Sequence, residues 1–101
     1  MQCFPSMGEK NFNMKRAKIL EKYFKGAANH RRIDILYLIS NVPGITVEGI
    51  AEKLACDFQV VSVHARKLYQ VGLIDKKYIG RAVGHTLSPC GHKFIRFIKT
   101  L

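Results

Sequence analysis

The side chains with the most recognisable chemistry lie in one segment, between residues 58 and 71. Gln59 carries the donor and acceptor pair that matches adenine, and Arg66 carries the fork of donors that matches guanine or a phosphate. Val60 and Val63 are apolar groups of the kind that contact a thymine methyl. The segment therefore indicates contact with DNA bases. The alternative is that Gln59 and Arg66 are solvated surface residues.

A helical register places these side chains on one side of the segment. Val61, Ala65 and Leu68 recur at four- and three-residue spacing and should face inward. The other side then presents the predicted DNA contacts of this helix, which are Gln59, Val60, Ser62, Val63, Arg66 and Lys67. Phe58 lies beside them, and together with the two valines it lends some support to the alternative of a protein partner.

Basic side chains outside this helix form two further groups. Lys76, Lys77 and Arg81 lie on a predicted β-ribbon, from which they can follow phosphates or enter the minor groove. A charged ribbon edge can also serve only to discourage strand pairing. Arg31 and Arg32 open an earlier helix, where they either clamp a phosphate or decorate the surface.

The overall charge supports a polyanionic partner. The 101 residues contain 17 Lys and Arg against 7 Asp and Glu, a net charge of +10. Residues 58–101 hold most of that excess, whereas residues 29–57 are close to neutral. Such an organised excess is typical of proteins that bind nucleic acid or an anionic membrane surface.

Several other classes of function lack support in the sequence. We find no glycine-rich phosphate loop, nucleophile elbow or paired His-carboxylate motif, so we expect no enzymatic activity and no cofactor. The N-terminus has no signal pattern and no apolar run could span a membrane, so we expect a cytoplasmic protein. The 3 cysteines (Cys3, Cys56 and Cys90) are widely spaced and should be free thiols. With His64 and His92 they form no convergent metal site.

The predicted elements surround the candidate DNA-binding helix. Residues 1–10 read as a flexible tail, and residues 11–101 as one domain. Helices are predicted over residues 11–25 (ending at Gly26), after Asn29, after Thr46, after Asp57 and over residues 89–101 after Ser88. A strand from Leu73 to Ile79, a hairpin tip over residues 80–84 and a return strand over residues 85–87 complete the order. We therefore predict a mainly α fold with a small β-hairpin wing: a winged helix-turn-helix of five helices and a two-stranded wing.

Motifs between His30 and Ser88 strengthen this prediction. They include Thr46-Val47-Glu48-Gly49-Ile50-Ala51-Glu52-Lys53-Leu54, Val61-Ser62-Val63-His64 with Gly72-Leu73-Ile74, and Gly80-Arg81 before His85-Thr86-Leu87-Ser88. In type, order and spacing they resemble the winged helix-turn-helix regulators of the ArsR superfamily, with a MarR-like start to the last helix at Leu87-Ser88-Pro89-Cys90-Gly91. The resemblance implies a transcriptional regulator, more often a repressor, that binds double-stranded DNA.

The two terminal helices carry more apolar surface than so small a core can bury. We expect residues 11–25 and 89–101 to form a homodimer interface through Phe12, Leu20, Tyr23, Phe24, Phe94, Phe97 and Ile98. The alternative is that both helices pack only within their own domain. Three other functions stay open: a winged-helix protein-interaction module, a repressor that responds to a metal or to redox state, and binding of RNA or of the membrane surface through the basic terminal helices.

Overall fold

The computed structural model of the protein describes residues 14–101. Within them, five helices and one antiparallel two-stranded sheet follow in the order α1 (Met14–Ala27), α2 (His30–Asn41), α3 (Val47–Leu54), α4 (Phe58–Gln70), β1 (Ile74–Ile79), β2 (Ala82–Leu87) and α5 (Pro89–Ile98). This order confirms the predicted fold class, a mainly α winged helix-turn-helix. The predicted N-terminal tail and the first residues of the predicted first helix lie outside the described residues.

Four of these helices begin at a residue whose side chain accepts a hydrogen bond from the first turn. The four residues are the predicted caps, namely Asn29, Thr46, Asp57 and Ser88. Such caps satisfy backbone N–H groups that have no partner inside the helix. Ser88 also donates from its hydroxyl to the Gly72 carbonyl at 2.6 Å, which fixes the start of α5 beside the end of α4.

One continuous core joins α2, α3 and α4 to the wing and α5. Its largest fully buried hydrophobic side chains are Ile35, Leu36, Ile39, Ile50, Val61, Leu68, Leu73 and Ile74. Phe94 and Ile95 of α5 close the core from the opposite side. The residues expected to face inward from α4, including Ala65, are thus confirmed as buried.

The wing is longer than the sequence indicates. Strand β2 starts at Ala82, which pairs with Ile79, so only Gly80 and Arg81 form the turn. The predicted tip over residues 80–84 is therefore wrong: Gly80 alone, at φ +61°, adopts the left-handed conformation that the turn needs. On its other edge β2 meets Ile45, whose carbonyl accepts from the His85 backbone N–H at 2.9 Å.

The end of α1 also differs from the prediction. The helix continues through Gly26 to Ala27, and both residues are buried. A Cβ added at Gly26 would lie 2.6 Å from a methyl carbon of Val71. Gly26 is therefore the point of close approach between α1 and the end of α4, not a helix stop, and this contact is not visible in local sequence.

The cysteines do not all have the expected state. Cys56 is a free thiol, whereas Cys90 is disulfide-bonded, so the expectation of a free thiol is wrong for Cys90. The remaining cysteine, Cys3, lies outside the described residues. The sequence could not reveal this, because disulfide formation depends on distance in space, not along the chain. The described helices include none that is long and apolar enough to span a membrane.

Candidate nucleic-acid interface

A helix-turn-helix unit presents the candidate DNA-binding surface. α3 packs against α4, and three residues, Ala55 to Asp57, turn the chain between them. Ala55 holds a left-handed conformation at φ 52°, and its N–H bonds back to α3 carbonyl groups. Asp57 then accepts from the Gln59 N–H at 2.8 Å and from the Val60 N–H at 3.3 Å. The direction of α4 is thus fixed at its first turn.

The outer side of α4 carries the base-reading chemistry predicted for it. Val61, Ala65 and Leu68 are buried, and Gln59, Val63 and Arg66 are exposed on the opposite side. Residues at this spacing are neighbours along one stripe of a helix. Val60 and Lys67 are exposed on one flank of the stripe, and Ser62 is half-buried on the other flank.

One member of this stripe was absent from the sequence prediction. Gln70 is exposed and follows Arg66 by four residues, so it continues the same side of α4 by one turn. The helical spacing could have identified it, because the step of three residues from Val63 to Arg66 is continued by a step of four residues to Gln70. Its amide offers the same donor and acceptor pair as Gln59, at the other end of the helix.

The wing supplies a second basic surface. Lys77 and Arg81 are exposed, and Arg81 lies at the turn between β1 and β2. Lys76 behaves differently, because its ammonium group lies 4.5 Å from the centre of the Tyr69 ring. This cation–π contact joins the wing to the last turn of α4 and was not predicted. Lys76 is therefore placed to orient the wing relative to α4.

The two arginines that open α2 have different surroundings. The Arg32 guanidinium donates to the Gly26 carbonyl at 3.0 Å and to His64 Nδ1 at 3.1 Å, so it joins α2 to α1 and α4. Arg31 is exposed, and its guanidinium contacts the Cys56 thiol at the turn before α4. Of the two predicted phosphate contacts, Arg31 is exposed and Arg32 is half-buried.

His64 is neutral in this arrangement. Burial lowers its pKa below the usual 6.5, and the positive charges of Arg32, Arg31, Lys67 and His30 lower it further. Because His64 Nδ1 accepts the hydrogen bond from Arg32, any ring proton must reside on Nε2. The neutral ring can therefore bridge α4 and α2 without adding a repulsive charge.

The charge of this face is strongly positive. Asp57 is used as the cap of α4, and from residue 58 to the end of the chain Asp75 is the only acidic residue. Arg66 and Lys67 on α4 and Lys77 and Arg81 on the wing thus have little local compensation. An anion that approaches α4 and the wing together would meet an attractive field from both elements.

A separate apolar surface lies on α1 and α5. The Phe24 ring packs edge-on against Phe94 and Phe97, with centroids 5.9 and 6.4 Å apart. Phe24 and Phe97 remain 48% exposed, whereas Phe94 is buried within its own chain. The other residues predicted for a dimer interface, Leu20, Tyr23 and Ile98, are half-buried, and Phe12 lies outside the described residues.

A metal centre has no support in the described part of the chain. Among residues 14–101, no three His, Cys, Asp or Glu side chains converge closely enough to hold an ion. Tyr23 lies with its hydroxyl 3.7 Å from the sulfur of Cys90, so the start of α5 lies beside α1. His92 is exposed in the first turn of α5.

Solved structures with the same architecture are transcriptional regulators. The chain is similar to HlyU from Vibrio cholerae in its reduced form, with 24% identity, a TM-score of 0.73, and coverage of 83% of this chain and 87% of that one. A homodimeric winged helix-turn-helix DNA-binding domain from Mycobacterium bovis, a possible ArsR-family regulator, has 22% identity, a TM-score of 0.70 and coverage of 91% and 85%. A predicted DNA-binding transcriptional regulator from E. coli has 19% identity, a TM-score of 0.74 and coverage of 83% and 90%.

Sequence comparisons give the family to which the chain belongs. A search among curated proteins gives no significant match. The model of the MarR family matches residues 28–78, which is half of the chain and runs from the cap of α2 into the wing. This span contains both helices of the helix-turn-helix unit. The chain belongs to the MarR family, and it is a DNA-binding transcriptional regulator with a winged helix fold.

Proposed function

We propose that the protein acts as a homodimer that binds a pseudo-palindromic site in double-stranded DNA and represses transcription there. The observation that carries this proposal is the outer side of α4, where Gln59, Val63 and Arg66 stand exposed in one stripe. A helix that lies in the major groove packs one side against the core of its own domain and presents the opposite side to the base edges. The exposed Arg81 at the wing turn would hold the neighbouring phosphates or minor groove.

The apolar surface of α1 and α5 supports the dimer. Phe24 and Phe97 are each 48% exposed and belong to a single cluster of rings, and Ile19 on α1 is 47% exposed. A two-fold axis through this surface would cover it with the same surface of a second copy. The similar domain from Mycobacterium bovis is homodimeric, which supports a dimer without indicating its interface. We propose residues 11–25 and 89–101 as the dimerisation elements of a domain that spans residues 11–101.

Dimerisation would double the recognition surface. Two α4 helices related by a two-fold axis would reach successive major grooves, about 34 Å apart, and would read the same half-site in opposite directions. Repression follows most simply from such binding, because an occupied stretch of duplex is closed to other proteins.

Selection from a pool of random duplexes tests this proposal. We expect enrichment of a sequence with two inverted half-sites, whose centres are separated by about one helical turn. We also expect two protomers per duplex in sedimentation. Enrichment of a single, non-repeated half-site, bound by one protomer, would contradict the dimer but would leave DNA binding intact.

A pair of charge-matched variants tests the assigned face. Arg66→Ala on α4 should weaken binding to the selected duplex and relax the preference at one base pair, by about 1–3 kcal/mol. Arg96→Ala removes the same charge from an exposed position of α5, a helix that packs against α2 and β2. It should leave the base preference unchanged. Equal effects of the two variants would mean that the binding face is misplaced.

A redox-responsive form of the same regulator is favoured by one observation. Cys90 is disulfide-bonded in the first turn of α5, which is one of the proposed dimerisation helices. Reduction could therefore change how α5 is held, and with it the separation of the two recognition helices. We would compare the affinity for the selected duplex with and without reductant, for the parent protein and for Cys90→Ser. A reductant effect in the parent that is absent in Cys90→Ser would support redox control, and identical affinities would exclude it.

A further inference from the structure

We infer that α4 recognises thymine through its 5-methyl group, and that Val60 and Val63 are the residues that contact it. The inference rests on the proposed function, because it assumes that α4 enters the major groove. It adds the chemistry of the half-site, which neither the fold nor the family determines. Thymine is the only standard base with a methyl group in the major groove.

The starting observation is two exposed apolar side chains on the outer side of α4, among basic residues. Val60 is 41% and Val63 is 48% exposed, and neither belongs to the hydrophobic core. The neighbouring helix α3 shows the usual alternative, because its exposed side chains are Glu48, Glu52 and Lys53. A solvated helix surface gains nothing from valine, which is a weaker helix former than lysine or glutamate. The two valines are therefore better explained by an apolar contact outside the chain.

The geometry of the pair suits a small apolar target. Val60 and Val63 are three residues apart on α4, so their side chains are neighbours. Valine is restricted to one main side-chain rotamer in a helix, which holds its methyl groups in fixed positions. A flat base edge with a projecting methyl matches such a rigid surface, and contact removes water from both partners.

The residues around the pair restrict the bases next to thymine. Gln59 lies four residues before Val63, and Arg66 three residues after it, so each is a direct neighbour on the stripe. Gln59 can pair with adenine and Arg66 with guanine. The half-site should therefore contain thymine beside a purine contacted by one of these two side chains. A protein partner would use the same valines but would require none of this base pattern.

The size of the effect follows from the methyl group. Burial of one CH₂ or CH₃ group corresponds to about a fourfold change in affinity. Replacing the contacted thymine by deoxyuridine removes only that methyl and preserves the base pair. We therefore expect about a fourfold loss for one half-site and roughly 16-fold when both half-sites are changed.

The experiment uses duplexes obtained by selection from a random pool, with each thymine of the half-site replaced in turn by deoxyuridine. We expect one or two thymine positions to show the loss, and thymines outside the half-sites to show none. Replacing cytosine by 5-methylcytosine at the same position should recover part of the affinity that a thymine-to-cytosine change removes, because the methyl lies at the same place in the groove.

Protein variants connect that methyl to the named residues. In Val63→Ala or Val60→Ala the penalty for deoxyuridine should fall below about twofold at the position that the valine contacts. Val42→Ala is the matched control, since Val42 is also an exposed valine but lies at the end of α2, outside α4 and the wing, and this variant should keep the full penalty. Both valines are exposed, so thermal unfolding should show that each variant is folded.

The outcomes separate this inference from the proposed function. Sequence-specific binding with half-sites that lack thymine, or with no penalty for deoxyuridine, overturns the inference and leaves the proposed function in place. A penalty that persists in both valine variants overturns the assignment of the residues. Failure to bind any duplex overturns the proposed function and the inference together.

Discussion

Replacing Phe97 by alanine should separate the proposed dimer without unfolding the protomer. Phe97 lies near the end of α5, and its ring is 48% exposed while it contacts the Phe24 ring edge-on. Its neighbour Phe94 is the ring of this cluster that fills the protomer core, with 6% exposure. The substitution therefore removes mainly surface that only a partner could cover.

The expected magnitude comes from the exposed half of the ring. A phenylalanine can bury roughly 200 Å², so the exposed half offers about 100 Å² to a partner. At about 25 cal/mol per Å² this amounts to roughly 2.5 kcal/mol per protomer. Because the dimer is two-fold symmetric, both protomers lose this contribution. Incomplete burial at the interface lowers the total loss of dimerisation free energy to about 3–5 kcal/mol. The dissociation constant of the dimer should rise by at least roughly 100-fold.

Sedimentation equilibrium from nanomolar to micromolar concentrations measures this change directly. The parent should be dimeric at micromolar concentration, and Phe97→Ala should be largely monomeric there, with an unchanged circular dichroism spectrum. Tyr78→Ala, which removes an equally large exposed ring from the wing, should remain dimeric. A monomeric parent, or the same dissociation constant for parent and Phe97→Ala, would refute the reasoning that α1 and α5 form the interface.

Three further predictions test the wing, the packing of α5 and the charge state of the α2–α4 contact. Arg81→Ala should weaken binding to every duplex sequence alike and reduce the salt dependence by about one phosphate per protomer, roughly two per bound dimer, measured by titration at several salt concentrations. Gly91→Ala should lower the free energy of unfolding by about 1–3 kcal/mol in a denaturant titration, because its Cβ would lie only 2.0 Å from the Leu73 carbonyl oxygen. The stability of the protein should fall as the pH drops below 6.5, because the unfolded chain protonates His64 at a higher pH than the folded chain, where burial and Arg32 oppose the proton.

Each of these predictions has a control within the chain. Arg96→Ala removes the same positive charge as Arg81→Ala, but from α5 and not from the wing. It should therefore leave the contact between the wing and DNA unchanged. Lys93→Ala lies in the same helix as Gly91 but is exposed, and it should change stability by no more than about 0.5 kcal/mol. His64→Gln should flatten the pH dependence of unfolding below 6.5, whereas Val63→Ala at the neighbouring exposed position should not. An unchanged profile in His64→Gln would show that another group titrates.

Features that depend on local chemistry could be predicted from the sequence. Asn29, Thr46, Asp57 and Ser88 each cap the helix assigned to them, because a capping bond spans only two or three residues. The buried stripe of α4 followed from the helical period alone. Gly72, at φ +88°, ends the α4 region in the left-handed conformation expected there.

Features that depend on contacts between distant residues could not be predicted. Gly26 resembles a helix stop in the sequence. In the structure its lack of a side chain allows Val71, 45 positions later in the chain, to pack closely against α1. Arg32 stays a candidate phosphate contact, but the hydrogen bonds of its guanidinium to the Gly26 carbonyl and His64 join residues far apart in the chain and are not visible in local sequence. The disulfide state of Cys90 and the contact between Lys76 and Tyr69 likewise arise only when the chain is folded.

Affinity for double-stranded DNA as a function of salt concentration tests the central claim most directly. If α4 and the wing of both protomers contact the backbone, the logarithm of the affinity should fall steeply and linearly with the logarithm of salt concentration. The slope should correspond to roughly 6–10 neutralised phosphates. Weak binding with a flat salt dependence would contradict the account, and would favour the alternative in which the outer side of α4 contacts a protein partner.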